Sequence, residues 1–306
     1  MGEEADAVHN KSVIRLFHIA AYSGSSEVQS LIFVGILFIY LIAVSANVLI
    51  TILVCLVPQL HTPMYFFLCN LAILDIFYVS AILPKLLAIT ITGDHTISFN
   101  GCLTQMFCFL WCATQEVFLL TCMAYDRYVA ICIPLRYSQI INKGLCIAMA
   151  LPTWLFSGVI AFFHSIYASF LLFNYFQKID HFFCDLKALL MISLSDTRAM
   201  EIFIIVENIY IGFPPFFCIL TSYIYIISAI LKIQTSARRF KAFSSCTSHV
   251  TVVLMSYGIS LSLYAQPQSE QSLKQSKLLA PMLNPLVYSV RNRDVLQAVK
   301  KLTMGI

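Results

Sequence analysis

Residues 29–56 read QSLIFVGILFIYLIAVSANVLITILVCL and contain no Asp, Glu, Lys or Arg. A bilayer core about 30 Å thick is crossed by roughly 20 apolar residues rising 1.5 Å each, so this stretch is long enough to span a membrane. Further apolar stretches follow at 62–87, 99–133, 143–166, 199–232, 239–266 and 272–290. The last contains Lys274 and Lys277 and rests on the apolar run from Leu278 to Val290. Composition points the same way. Of 306 residues, 59% are apolar or aromatic and 11% are charged, with a mean hydropathy of +0.83; soluble domains carry roughly a quarter charged residues. A disordered chain, a collagen-like chain, a nucleic-acid-binding basic tail and a disulfide-stapled miniprotein are excluded, and no nucleic-acid partner is expected. The expected fold class is an all-α membrane protein, a seven-transmembrane helix bundle lying in membrane lipid.

Basic residues at helix ends orient such a bundle. One set of loops holds Arg127, Arg136, Lys143, Lys232, Arg238, Arg239, Lys241, Arg291, Arg293, Lys300 and Lys301 against two acids, Asp126 and Asp294. This set is expected in the cytoplasm, with the N-terminus extracellular and the C-terminus cytoplasmic. Residues 1–28 are read as a polar, acidic extracellular segment without the basic start and apolar centre of a signal peptide. Residues 29–291 are the bundle. Residues 292–306, where Val295, Leu296, Val299 and Leu302 recur at helical spacing, are a short amphipathic helix and cytoplasmic tail. Asn10-Lys11-Ser12 is a glycosylation sequon on the expected outer side.

Most of the eleven cysteines lie in apolar helix, where they pack as small residues. Cys102 and Cys184 fall on the oxidising side, and a disulfide between them is the economical reading. Acids inside spans are costly and mark functional candidates. Asp75 and Glu116 are placed to share a sodium ion or a proton, since two close carboxylates do not both stay ionised without a cation; a water-filled packing network is the alternative, and no other cofactor or metal is expected. Glu207 lies in the outer half of the fifth span. Lys277 has no local partner once Glu270 pairs with Lys274, so it either faces Glu207 or a ligand across the cavity or snorkels to the outer surface. Asp126-Arg127-Tyr128 reads as a charge pair that opens and closes against the cytoplasm. Pro215 and Pro285 remove backbone hydrogen bonds and mark candidate hinges.

Taken together, the motifs resemble the olfactory (odorant) receptor family of rhodopsin-like G-protein-coupled receptors, in its terrestrial-type branch. The resemblance rests on LHTPMYFFL from Leu60 to Leu68 with Asn70 and Asp75, and on MAYDRYVAIC from Met123 to Cys132 followed by Pro134-Leu135-Arg136-Tyr137. Ser222-Tyr223, KAFSSCTSH from Lys241 to His249, Tyr257-Gly258, PMLNPLVYS from Pro281 to Ser289, and Arg291-Asn292 complete it. Two departures stand out. The family's usual second loop disulfide has Asn174 and Leu194 in its two places, which implies a looser outer loop, and Ala46 replaces the usual glycine before Asn47. His181-Phe182-Phe183-Cys184-Asp185 matches a pattern sometimes associated with metal, but a disulfide-bonded Cys184 offers no thiolate.

The resemblance implies no enzyme chemistry. It implies a small-molecule odorant bound by Phe109, Leu110, Ala113, Thr114, Glu207, Asn208, Ile211, Ser260 and Tyr264, with Lys277 as a polar addition. It further implies a stimulatory heterotrimeric G protein as partner and a rise in cyclic AMP on ligand binding. Asp126, Arg127, Tyr128, Tyr223, His249, Asn284, Pro285 and Tyr288 would form the coupling switch, with His249 and the basic cluster at the edge of the G-protein groove. Two other readings are a receptor for amines or other small molecules and, from the intramembrane charges, a transporter; seven spans without repeat symmetry disfavour the second.

Overall fold

The computed structural model describes residues 16–20, 25–174 and 176–265, without the side chains of Phe176, Lys241, Ser245, Ser248 and 259–265. Asn10, the expected seventh span with Lys277, Asn284, Pro285 and Tyr288, and the amphipathic helix lie outside the described residues, as do the side chains of Ser260 and Tyr264. Six long helices run in order: α1 (Ser26–Leu56), α2 (Pro63–Thr92), α3 (Phe99–Cys132), α4 (Lys143–Ser169), α5 (Arg198–Leu231) and α6 (Ser236–Ala265). The first five are long and apolar enough to cross a bilayer. Their limits follow the apolar runs closely; the largest difference is at the end of α2, which reaches Thr92 instead of 87.

Local chemistry sets these limits. Pro63 opens α2, where a missing N–H costs nothing, and Gly93, at φ 67°, takes the left-handed conformation that ends it. The Ser98 and Asn142 side chains cap α3 and α4 by accepting the N–H groups of Gly101 and Leu145 at 3.2 and 2.9 Å. Within α5, a π turn at Asn208–Gly212 precedes Pro214 and Pro215. Neither proline can donate to the carbonyl four residues back, so the wider turn absorbs the break expected at Pro215.

Side chains are sorted for hydrocarbon. Phe38, Phe77, Leu155, Phe162, Phe217 and Ile224 face outward, while Asn47, Asp75, Gln115, Glu116, Asp126 and Ser157 are buried. Water would penalise this distribution and a bilayer requires it. The helix α3 is the spine, contacted by α2, α4, α5 and α6, with α1 packed on α2. Polar clasps tie the layers: Trp154 Nε1 donates to Asn70 Oδ1, Trp111 Nε1 donates to the Trp154 carbonyl, and Gln115 Nε2 donates to Thr153 Oγ1, each at 3.1 Å. Gly158 makes room for Trp111, whose indole nitrogen lies 3.4 Å from where a Cβ would stand.

A three-stranded sheet covers the end of the bundle that holds Cys102. Its order is β2 (Thr96–Ser98), β1 (Leu16–Ile19), β3 (Phe176–Ile179), with β1 antiparallel to β2 and parallel to β3. The polar lead expected over 1–28 therefore contains a strand whose Phe17 and Ile19 are buried, and α1 begins at Ser26 rather than 29. Phe17 packs edge-on against Phe173 with ring centroids 5.1 Å apart, over the cluster that includes Cys102, Met106 and Cys184. Asp94 holds the turn into β2 by accepting the Thr96 N–H and hydroxyl at 2.9 and 2.6 Å, and these bonds lower its carboxyl below the usual range.

The long connection after α4 carries hydrogen bonds near the place of the missing second disulfide. Leu194 N–H donates to the Leu172 carbonyl at 2.9 Å and Leu172 N–H to Ser195 Oγ at 3.0 Å, so the chain two residues before Asn174 is tied to Leu194 and Ser195. Truncating the ring that seats the sheet, Phe17→Ala, should cost about 3–5 kcal/mol. Thermal unfolding of the purified receptor checks this, and an unchanged midpoint would mean that β1 does not dock.

Candidate functional site

Cys102 opens α3 and is bonded to Cys184, with Cα atoms 5.3 Å apart. Three residues on, buried Gln105 accepts the Cys184 N–H through Oε1 and donates from Nε2 to the Ala81 carbonyl of α2, both at 2.9 Å. The residue before Cys184, Phe183, is buried and lies 4.7 Å from the Phe109 ring, which stacks in turn on Tyr78 of α2 at 5.3 Å. Below Phe109, Leu110, Ala113 and Thr114 are half-buried along the same helix. The expected ligand residues of α3 thus lie beneath an aromatic column descending from the loop.

The α5 members of that set, Glu207, Asn208 and Ile211, are half-buried at and within the π turn. Glu207 has a close neighbour: its Oε2 lies 2.7 Å from Nε2 of His164 on α4, without hydrogen-bond alignment. His164 is buried, and Phe163 and Phe203 close around it. A partner for Glu207 was expected from Lys277 or a ligand, and His164 was missed; a histidine inside an apolar span is the signal that marks it.

Deeper in the bundle, Asp75 and Glu116 are both buried. Glu116 Oε1 accepts the Ser256 hydroxyl at 2.7 Å, linking α3 to α6.

At the opposite end of α3, Asp126 is fully buried and accepts Arg127 Nη2 at 2.8 Å on Oδ2. Its Oδ1 accepts the Tyr137 hydroxyl at 2.7 Å. Tyr137 sits in a single turn, Tyr137–Ile140, between α3 and α4. Burial, and then the hydrogen bond to Asp126, raise its hydroxyl above the ordinary phenol range, so it remains a donor at physiological pH. Tyr128 faces α5, its ring 5.9 Å from that of Tyr225.

A second clasp joins three helices. The Tyr223 hydroxyl of α5 lies 2.5 Å from His249 Nδ1 of α6, whose Nε2 lies 3.1 Å from the Leu120 carbonyl of α3. His249 was expected at a groove edge beside Arg238 and Arg239; those two are exposed, but His249, ten residues and about 15 Å further along the helix, is buried. An open groove of 810 Å³ lies between α3, α4 and α5 toward this end, walled by Phe118, Tyr125, Tyr128, Met149, Phe217 and Tyr225 among others. It includes none of the expected ligand residues.

Comparison with known proteins gives this geometry its context. A family model described as olfactory receptor matches residues 36–305. The chain belongs to the olfactory receptor family. It is 41% identical over 300 residues to the olfactory receptor-like protein OLF3 of Canis lupus familiaris, covering 96% of this chain and 95% of that one. Olfactory receptor 13A1 of Homo sapiens is 40% identical over 300 residues, covering 96% and 92%, and olfactory receptor 8U3 of Mus musculus is 41% identical over 303 residues, covering 95% and 94%. The family consists of seven-span G-protein-coupled receptors of the plasma membrane and is not enzymatic. Within this olfactory receptor, Gln105, His164 and Ser256 join the residues singled out from sequence, and Tyr137, quoted there only as a motif residue, is the partner of Asp126.

The Tyr223–His249 clasp is open to a double-substitution cycle. Tyr223→Phe and His249→Asn should each lower thermal stability, with a coupling of about 0.5–3 kcal/mol between them. Strictly additive losses would mean that the two side chains do not act as a unit.

Proposed function

We propose that this olfactory receptor binds a small-molecule odorant in the half of the bundle near Cys102 and, once occupied, promotes nucleotide exchange on a stimulatory heterotrimeric G protein at the Arg127 end, raising cyclic AMP. The observation that carries this reading is the clasp Arg127–Asp126–Tyr137. A buried carboxylate holds an arginine at one end of α3, while the disulfide and the aromatic column occupy the other, twenty-five residues and about 37 Å away. Two sites so far apart on one rigid helix exchange free energy only through a two-state element. In this account that element is α6, tied to α3 and α5 through His249 and to Glu116 through Ser256. A ligand that favours the state with these ties broken shifts the equilibrium toward coupling.

The excess of basic residues at the Arg127 end supports a cytoplasmic placement for it, with an extracellular N-terminus, a glycan at Asn10 and a cytoplasmic C-terminus. The domain limits 1–28, 29–291 and 292–306 belong to the same proposal. Phe109, Leu110, Ala113 and Thr114 would line the cavity from α3 and Glu207, Asn208 and Ile211 from α5; Ser260, Tyr264 and Lys277 would complete it. Asp75 and Glu116 would share a sodium ion or a proton that favours the resting state. Asn284, Pro285 and Tyr288 would join Tyr128 and Tyr223 in the switch.

Cyclic AMP measured in cells, normalised to surface receptor, tests the coupling assignment. Arg127→Ala should abolish signalling. Tyr137→Phe, which removes a bond to a charged group, should raise ligand-independent signalling severalfold. Wild-type signalling from Arg127→Ala would sink the assignment.

A further inference from the structure

The carboxamide of Gln105 uses both of its ends, and in doing so it fixes something the disulfide leaves free. A disulfide holds Cys184 through rotatable single bonds, about which the loop backbone can still turn. The bond from Cys184 N–H to Gln105 Oε1, at 2.9 Å, adds a second point of attachment. That N–H belongs to the peptide unit joining Phe183 to Cys184, and a peptide unit is planar, so fixing its N–H direction also fixes the plane that carries the Phe183 Cα. Gln105 is itself held from behind, because its Nε2 donates to the Ala81 carbonyl of α2. The Phe183 ring, fully buried, then rests on Phe109, and Phe109 rests on Tyr78.

We propose that Gln105 is a positioning residue for ligand size. By orienting the Phe183–Cys184 peptide it presses Phe183 onto Phe109 as the ceiling of the odorant cavity, and this ceiling sets the depth available above Ala113 and Thr114. The proposal rests on the assignment of these α3 residues to the cavity. Loss of Gln105 leaves the Cys102–Cys184 bond in place but leaves the buried Cys184 N–H without its acceptor and removes the tie from α3 to the half-buried Ala81 carbonyl. The loop then gains rotation, the ceiling lifts, and larger molecules enter. Small molecules, which already fit, gain little.

The full-length receptor carrying Ala113→Cys tests this without a known odorant. The probes are the uncharged methyl methanethiosulfonate and the bulky, uncharged N-biotinylaminoethyl methanethiosulfonate, and the readout is the ratio of their labelling rates at the introduced thiol, measured by mass spectrometry of that peptide. Gln105→Leu should raise the bulky-to-small ratio about tenfold, as expected when two hydrogen bonds are lost. Phe183→Ala, which removes the ceiling and keeps the anchor, should raise it at least as much. Gln105→Glu offers the same acceptor and donor when its carboxyl is protonated, so it should restore the wild-type ratio at acidic pH and lose it as the pH rises. This pH profile, taken as a ratio so that thiol reactivity cancels, is not expected of a residue that merely stabilises the fold, and it keeps the test decisive if Gln105→Leu does not fold.

An unchanged ratio in Gln105→Leu together with a raised one in Phe183→Ala overturns the role of Gln105. A ratio unchanged in both, with the thiol labelled, overturns the ceiling. A thiol that the small reagent fails to reach even in Phe183→Ala overturns the cavity assignment itself, and the ceiling with it.

Discussion

The polar groups that this chain carries into the bilayer depend on partners inside the protein, because hydrocarbon supplies none. That constraint explains why α3 is the centre of the structure. Gln105, Gln115, Glu116 and Asp126 lie along it, and each is satisfied by a different neighbour: the loop and α2, α4, α6, and the turn at Tyr137. The apolar exterior needs no such specificity, and its side chains simply face lipid. Removing a partner at any of these points leaves a buried group exposed to a medium that cannot solvate it, so the polar contacts of α3 fix how the helices pack.

The same arrangement gives the receptor two ends with different physics. Near Cys102, a covalent bond, a carboxamide and a column of aromatic rings make a rigid roof. Near Arg127, the contacts are a carboxylate shared by an arginine and a tyrosine, and an imidazole between Tyr223 and a backbone carbonyl. Polar contacts of this kind rearrange between two states more readily than a packed aromatic column does. The upper part of α5 is tethered differently again, through His164 and Glu207 beside a π turn, a local irregularity of the kind that often accompanies function.

How much of this could be read in the sequence follows from the range of each signal. The spans were legible because bilayer thickness imposes some twenty apolar residues at a time, and α1 to α6 fall where those runs lie. The disulfide was legible because Cys102 and Cys184 alone sat on the oxidising side. The sheet was not: Leu16–Ile19 is four residues long and its partners lie near residues 97 and 177, far beyond any local pattern. The hydrogen bonds that Leu172 makes to Leu194 and Ser195 were not legible either, because such contacts leave no mark in residue types. Gln105 and His164 were passed over for a related reason. A single polar residue in an apolar run declares that it has a partner and says nothing about which one.

The central claim is that α6 moves away from α3 at the Arg127 end when the receptor couples, breaking the ties through His249. Distances between spin labels placed through non-natural amino acids at the exposed positions Gln139 and Arg239 measure this directly. With a stimulatory G protein bound in its nucleotide-free state, the account predicts a second population several ångströms longer than that of the receptor alone. A single distribution, unchanged when the G protein binds, would contradict it.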